Sequence, residues 1–140
     1  MKVCFCGHRE VIDTKVETRL RLIIEQLITD GADTFLLGGY GEFDRLSAHI
    51  VCDLKKKYTY IKSILVIPYI HQSYDPDLYD YSIFPPLEHT PPKFAISKRN
   101  RYMVEESDVV VAYVNKNYGG AYQTLEYGRK KKKKIISVLP

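Results

Sequence analysis

Three glycine-bearing stretches hold the residues best suited to chemistry: Gly7-His8-Arg9, Gly38-Gly39-Tyr40-Gly41 and Gly119-Gly120-Ala121-Tyr122-Gln123-Thr124-Leu125-Glu126. Each follows an apolar run. Before the third, Ser107–Val114 is rich in β-branched residues and reads as a strand buried on both faces. A polar loop, the Gly pair and a helix-forming segment follow. Strand, glycine turn and helix aim unpaired backbone N–H groups and a positive helix end at an anion. The chemistry expected is therefore the cradling of a phosphate or ribose of a nucleotide-like ligand.

Arg9 and Arg99 are the natural anion partners, because a guanidinium presents a planar fork to phosphate or carboxylate. Asn100 adjoins Arg99, whereas Arg101 faces away from it on a helix. Glu126 can hold a ribose hydroxyl or act as a general acid or base. His8 has a pKa near neutrality, but no Ser or Cys with an orienting third group stands beside it, so it reads as a polar loop residue. Cys6 can line the pocket or sit in the core. Cys4, Cys6 and His8 do not have zinc spacing, and no metal or cofactor is expected. The G-x-G-x-x-G dinucleotide fingerprint and the G-x-x-x-x-G-K-[ST] phosphate loop are both absent, which argues against an ordinary NAD dehydrogenase and an NTPase.

These turns need a scaffold that brings them together. Lys2–Cys6 reads as a first strand. A helix follows to about Asp30, with Thr14 and Glu17 spaced as a capping box and Gly31 as the stop. Thr34–Leu37 is a second strand, then a helix carries Phe43, Leu46, Ile50, Val51 and Leu54 on one side. Ser63–Pro68 is a third strand. Residues 69–93 are rich in Tyr and Pro and read as an irregular lid, binding loop or oligomer contact. Ala95–Glu106 is a helix, Ser107–Val114 the fourth strand, about Tyr122–Lys132 a helix and Lys134–Leu139 the fifth strand. Alternating strands and helices predict an α/β fold: one Rossmann-like three-layer domain over residues 1–140, with a mostly parallel five-stranded sheet of order 3-2-1-4-5. The three glycine turns then meet at the carboxyl edge of the sheet.

The 140 residues are 45% hydrophobic and 27% charged, within the range of a soluble globular domain. Twelve Tyr and no Trp are unusual; tyrosines outside a core often face ligands. Of the +4 net charge, six cations are consecutive, Arg129 to Lys134. Their place at a helix end favours a dipole-stabilised terminus over a nucleic-acid patch. Three cysteines without framework spacing point to a reducing, cytoplasmic setting. No signal peptide or membrane span is expected.

Across nearly its whole length the chain resembles the SLOG superfamily of LOG-like and DprA-like Rossmannoid domains, and most of all its small stand-alone YspA/YpsA-like group. The resemblance rests on Cys6-Gly7-His8-Arg9, on Leu37-Gly38-Gly39-Tyr40-Gly41-Glu42-Phe43-Asp44 and on Pro85-Pro86. It extends through Ala95-Ile96-Ser97-Lys98-Arg99-Asn100, Ser107–Tyr113 and Gly119–Tyr127. LOG enzymes cut the N-glycosidic bond of a nucleoside monophosphate, and other members sense nucleotide or NAD-derived signals. In the LOG pattern an Arg precedes the fourth strand and Pro-Gly-Gly-x-Gly-Thr-x-Glu-Glu follows it. Arg99, Gly119-Gly120, Thr124 and Glu126 match parts of this. Tyr118 stands for the Pro, one extra residue precedes Thr124, and Tyr127 replaces the second Glu.

The resemblance implies binding of an ADP-ribose-like, NAD-derived or cyclic-nucleotide signal, sensed or sequestered without turnover. The ligand-binding set is then Gly7, His8, Arg9, Gly38, Gly39, Tyr40, Gly41, Arg99, Asn100, Gly119, Gly120, Ala121, Tyr122, Thr124 and Glu126. The alternative is a phosphoribohydrolase in which Arg99 holds phosphate and Glu126 serves the oxocarbenium-like centre. A third reading is a DNA-associated or protein-interaction module using the lysine run. Nucleic acid is the less favoured partner, and a homo-oligomer is expected from the family analogy.

Overall fold

The computed structural model describes all residues, 1–140. β1 (Lys2–Gly7), α1 (Val16–Thr29), β2 (Thr34–Leu37), α2 (Glu42–Leu54) and β3 (Lys62–Val66) form the first half. β4 (Tyr81–Ile83), α3 (Pro92–Glu106), β5 (Val109–Tyr113), α4 (Gly120–Lys130) and β6 (Lys134–Ser137) complete it. The sheet order is β4-β3-β2-β1-β5-β6 and every pairing is parallel. The expected order is present, with one strand more than the five expected.

The extra strand, β4, lies inside the Tyr- and Pro-rich stretch. Its register pairs Ile64 with Tyr81 and Val66 with Ile83. Three residues flanked by prolines give no period to read, yet the free edge of β3 supplies hydrogen-bonding partners that a short segment can use. Tyr79 and Leu87 are buried beside it. The stretch thus adds a three-residue edge strand to the sheet and is otherwise turns and irregular chain. Its prolines also behave differently from expectation: Pro92 occupies the first turn of α3, where a missing N–H costs nothing, so the helix begins three residues before Ala95.

Alternate residues of each strand face opposite layers. Val3, Phe5, Phe35, Leu37, Leu65, Val109 and Val111 pack with α1 and α2, through Leu20, Ile24, Phe43 and Val51 among others. Cys4, Cys6, Leu36, Ile64, Val66 and Val110 pack with α3 and α4 through Met103, Val104 and Leu125. Burial of side chains of this size stabilises by about 1.5–3 kcal/mol each before entropy is counted. Gly128 lets α4 lie close on the sheet, since a Cβ there would stand 3.2 Å from Ile135 and 3.4 Å from Val110.

The expected Thr14–Glu17 capping box does not form. Lys15 occupies the N-cap of α1 without a side-chain cap. Asp13 instead accepts from the Lys15 N–H at 2.9 Å and pairs with Arg19 at 2.7 Å. The lysine run behaves as a helix end: Arg129 and Lys130 form the last turn of α4, and Lys132 turns the chain with φ of 58°. No helix is long and apolar enough to cross a membrane.

Candidate functional site

The loops after β1, β2 and β5 converge at the carboxyl edge of the sheet, where strand order reverses about β1. A cavity of about 300 Å³ opens there. Gly7, His8 and Arg9 line it from the first loop, and Gly38 and Tyr40 from the second. Asp44 of α2, Arg99 and Asn100 of α3, and Gly120, Ala121 and Thr124 of α4 complete the polar wall. The apolar floor is Phe5, Cys6, Ile96 and Met103.

Two buried charges shape the second loop. The Arg99 side chain is 2% exposed. Its Nη1 donates to the carbonyl oxygens of Gly38 at 2.8 Å and Val66 at 3.0 Å, and its Nε donates to Asn100 Oδ1 at 2.9 Å. Nη2 has no protein partner. Asp44 grips the same loop from the other side, with Oδ2 accepting from the N–H groups of Gly39 and of Tyr40. Burial pushes the Asp44 carboxyl up, while the N–H groups of Gly38 and Gly39, the Arg99 charge and the Tyr40 N–H pull it down. Burial likewise lowers Arg99, against the charge of Asp44; a guanidinium stays protonated through such a shift.

The helix ends differ in what they can receive. Gly41 and Gly119 cap α2 and α4 with nearly the same backbone, φ 92° and 93°, and neither helix has a side-chain cap. At α2 the Glu42 N–H is taken by the Arg9 carbonyl at 2.8 Å, and the first turn carries Glu42 and Asp44. That end repels anions. At α4 the first turn has no acidic residue, and the N–H groups of Gly120, Ala121 and Tyr122 have no protein partner. That end is open to one.

The glycines sort by cause. A Cβ on Gly7 would sit 2.2 Å from the Phe43 ring, so its smallness serves packing. Gly39, at φ 72°, would meet Leu65 at 2.7 Å, and Gly41 would meet the Arg9 backbone at 3.0 Å. Gly119 needs its positive φ. Gly120 has neither constraint: its φ is ordinary for an L residue, and a Cβ would meet nothing within 4 Å. What a side chain there would occupy is cavity.

Several expected site residues stand elsewhere. Gly39, Gly41 and Gly119 shape the loops without lining the cavity, and Tyr122 does not reach it. Glu126 lies outside the cavity, in an adjoining groove, paired with Arg129. Two residues on from Thr124 in a helix, it is turned about 200° away from the wall that Thr124 forms. The Tyr- and Pro-rich stretch contributes nothing to the cavity either; the aromatic at its mouth is Tyr40, 56% exposed, whose hydroxyl accepts from Arg9 Nη2. His8 is a strut: its Nε2 accepts from the Asn115 N–H at 3.0 Å, and burial and Lys116 lower its pKa, leaving it neutral at pH 7. Burial pushes the Cys4 thiol up to about 12 and that of Cys6 higher, so neither is a thiolate nucleophile. No three His, Cys, Asp or Glu side chains cluster to hold a metal.

Asp44 is the polar residue the chain hides best. Its carboxylate reads as helix-start decoration, and only the fold-back of α2 onto its own preceding loop turns it inward. Met103 carried a signal, one helical turn from Arg99, but its place on the floor depends on how α3 crosses the sheet.

No protein-family model matches the chain. It is 28% identical over 141 residues to the uncharacterized SPbeta prophage-derived protein YoqJ of Bacillus subtilis strain 168, across 83% of this chain and 81% of that protein. Among solved structures, DNA processing protein A from Helicobacter pylori, described for its single-stranded DNA binding mode, aligns with TM-score 0.70 and 17% identity. That alignment takes in 98% of this chain but 64% of the other, so the chain spans slightly under two thirds of that protein. The molybdenum cofactor carrier protein from Chlamydomonas reinhardtii aligns with TM-score 0.64 and 17% identity over 97% of this chain and 74% of that one. At these identities the likeness is one of fold. Six parallel strands, helices on both faces and glycine turns gathered at one carboxyl edge give this chain a Rossmann-like fold, the fold of the DNA processing protein and the molybdenum cofactor carrier protein with which it aligns.

Proposed function

We propose that the chain binds a nucleotide-derived small molecule at the β1–β2–β5 rim and holds it without turnover. Gly120 carries this reading. Neither backbone nor packing asks for glycine there, yet it sits at an uncapped helix end free of acidic residues, on the wall shared with Arg99. A phosphate placed over the α4 N-terminus accepts from free N–H groups and meets the Arg99 guanidinium. Tyr40, exposed at the mouth beside Arg9, offers a ring to a base.

The hydrolase alternative needs a carboxylate at the sugar. Glu126 is outside the cavity, and Asp44 is occupied with loop N–H groups. A carrier role accords with the molybdenum cofactor carrier protein of the same fold, whose name states small-molecule carriage. The single-stranded DNA binding described for the Helicobacter protein keeps nucleic acid among the ligands to be tested.

Titration calorimetry with AMP, ADP-ribose, NAD and cyclic nucleotides, followed by chromatography of the denatured complex, tests the reading. Intact ligand released on denaturation is the expected result. Gly120→Val should lower affinity by about tenfold or more, with thermal midpoint kept, because the new side chain fills cavity and strains nothing. Free base accumulating with time, or full affinity in Gly120→Val, contradicts it.

A further inference from the structure

A second cavity of about 460 Å³ runs along the cleft between α3 and α4. It shares Ile96, Asn100, Gly120 and Thr124 with the first, so the two are contiguous and Gly120 stands at the divide. Its lining carries Lys93, Arg101 and Lys130 against one carboxylate, Glu126, which Arg129 already neutralises. None of the three cations has a carboxylate partner anywhere in the chain. Tyr127 is committed: its hydroxyl donates to Glu105 and its ring lies under Arg101 at 5.3 Å. The groove is therefore a basic channel leading away from the phosphate position. Gly120 and Lys130 are separated by about 15 Å of helix, shortened by the backward reach of the lysine stem. That is too far for the oxygens of one phosphate to serve both ends.

We propose that the ligand is a dinucleotide, with one phosphate at the α4 N-terminus beside Arg99 and a second phosphate-bearing unit in the α3–α4 groove against Lys93, Arg101 and Lys130. This rests on the first cavity being a nucleotide site. The absence of a side chain at Gly120 then serves passage between the two halves as well as approach of the first phosphate. The second unit meets cations that are otherwise unpaired, so its charge is gained without breaking an existing ion pair.

The test is calorimetric titration of the full chain with AMP, with the 5′-phosphorylated dinucleotide pApA and with a 5′-phosphorylated adenine dodecamer at fixed ionic strength. The expected result is pApA binding about tenfold to a hundredfold tighter than AMP, with the dodecamer no tighter than pApA. The double variant Arg101→Ala/Lys130→Ala should bring pApA down to the AMP level and leave AMP unchanged, since both side chains lie outside the first cavity. Equal affinity for AMP and pApA, or a pApA advantage that survives the double variant, overturns the second subsite while leaving the nucleotide reading intact. A dodecamer bound about tenfold tighter than pApA, with steep salt dependence, replaces the dinucleotide with a nucleic-acid strand. Failure of both AMP and pApA to bind removes the nucleotide reading itself.

Discussion

Arg99 has two duties that its burial makes inseparable. Nη1 ties the ends of β2 and β3 through Gly38 and Val66, and Nη2 is left for the cavity. Arg99→Ala leaves two buried carbonyls unpaired and takes the countercharge from Asp44. A loss of about 3 kcal/mol is expected in denaturant unfolding, with Arg99→Lys recovering part of it through its retained charge. A loss below about 0.5 kcal/mol would show that the guanidinium does not hold the loop. The place of Arg99 on the cavity wall was legible in the sequence because an arginine before a strand and a glycine turn has few apolar uses. Its structural half was not legible, since carbonyl partners in β2 and β3 are set by how α3 crosses the sheet. The inward role of Asp44 was hidden for the same reason. Glu126 differs: helical periodicity turns it to the α3–α4 groove, where it pairs with Arg129.

At the scale of elements, the rim depends on loops bracing one another. The His8 imidazole joins the β1 loop to the β5–α4 loop through the Asn115 N–H, and the Arg9 carbonyl joins it to α2 through the Glu42 N–H. Burial and Lys116 hold the His8 pKa below the ordinary 6.5. The unfolded chain therefore takes the proton first. The stability from neutral His8 is fully present above about pH 6.5 and is lost as pH falls through the lower folded value. Unfolding midpoints measured from pH 7.5 to pH 5 should fall for the wild-type chain and fall less for His8→Gln. Parallel profiles would contradict the strut. Of the elements, β1, β2, β5 and the apolar faces of α1 and α2 were readable because period and burial agree there. β4 was unreadable: three residues between prolines become a strand only when β3 offers its edge.

For the whole molecule, the strand order follows from a central β1 and right-handed crossovers, and it determines which three loops meet. That much was legible, because parallel strands buried on both faces leave few topologies. The wider groove between α3 and α4 was not, because it arises from how the two helices cross the sheet side by side. It is also where cations without a carboxylate partner line a cavity, which is why the proposed ligand-binding face extends from the rim onto the helical layer. The central claim is that phosphate sits over the α4 N-terminus. Two-dimensional ¹⁵N–¹H spectra recorded through an AMP titration report it directly. The account predicts the largest shifts at the Gly120, Ala121 and Tyr122 amides and at the Arg99 side-chain N–H, saturating together. Shifts confined to the Arg129–Lys134 run, or saturable binding that leaves those three amides unmoved, would contradict it.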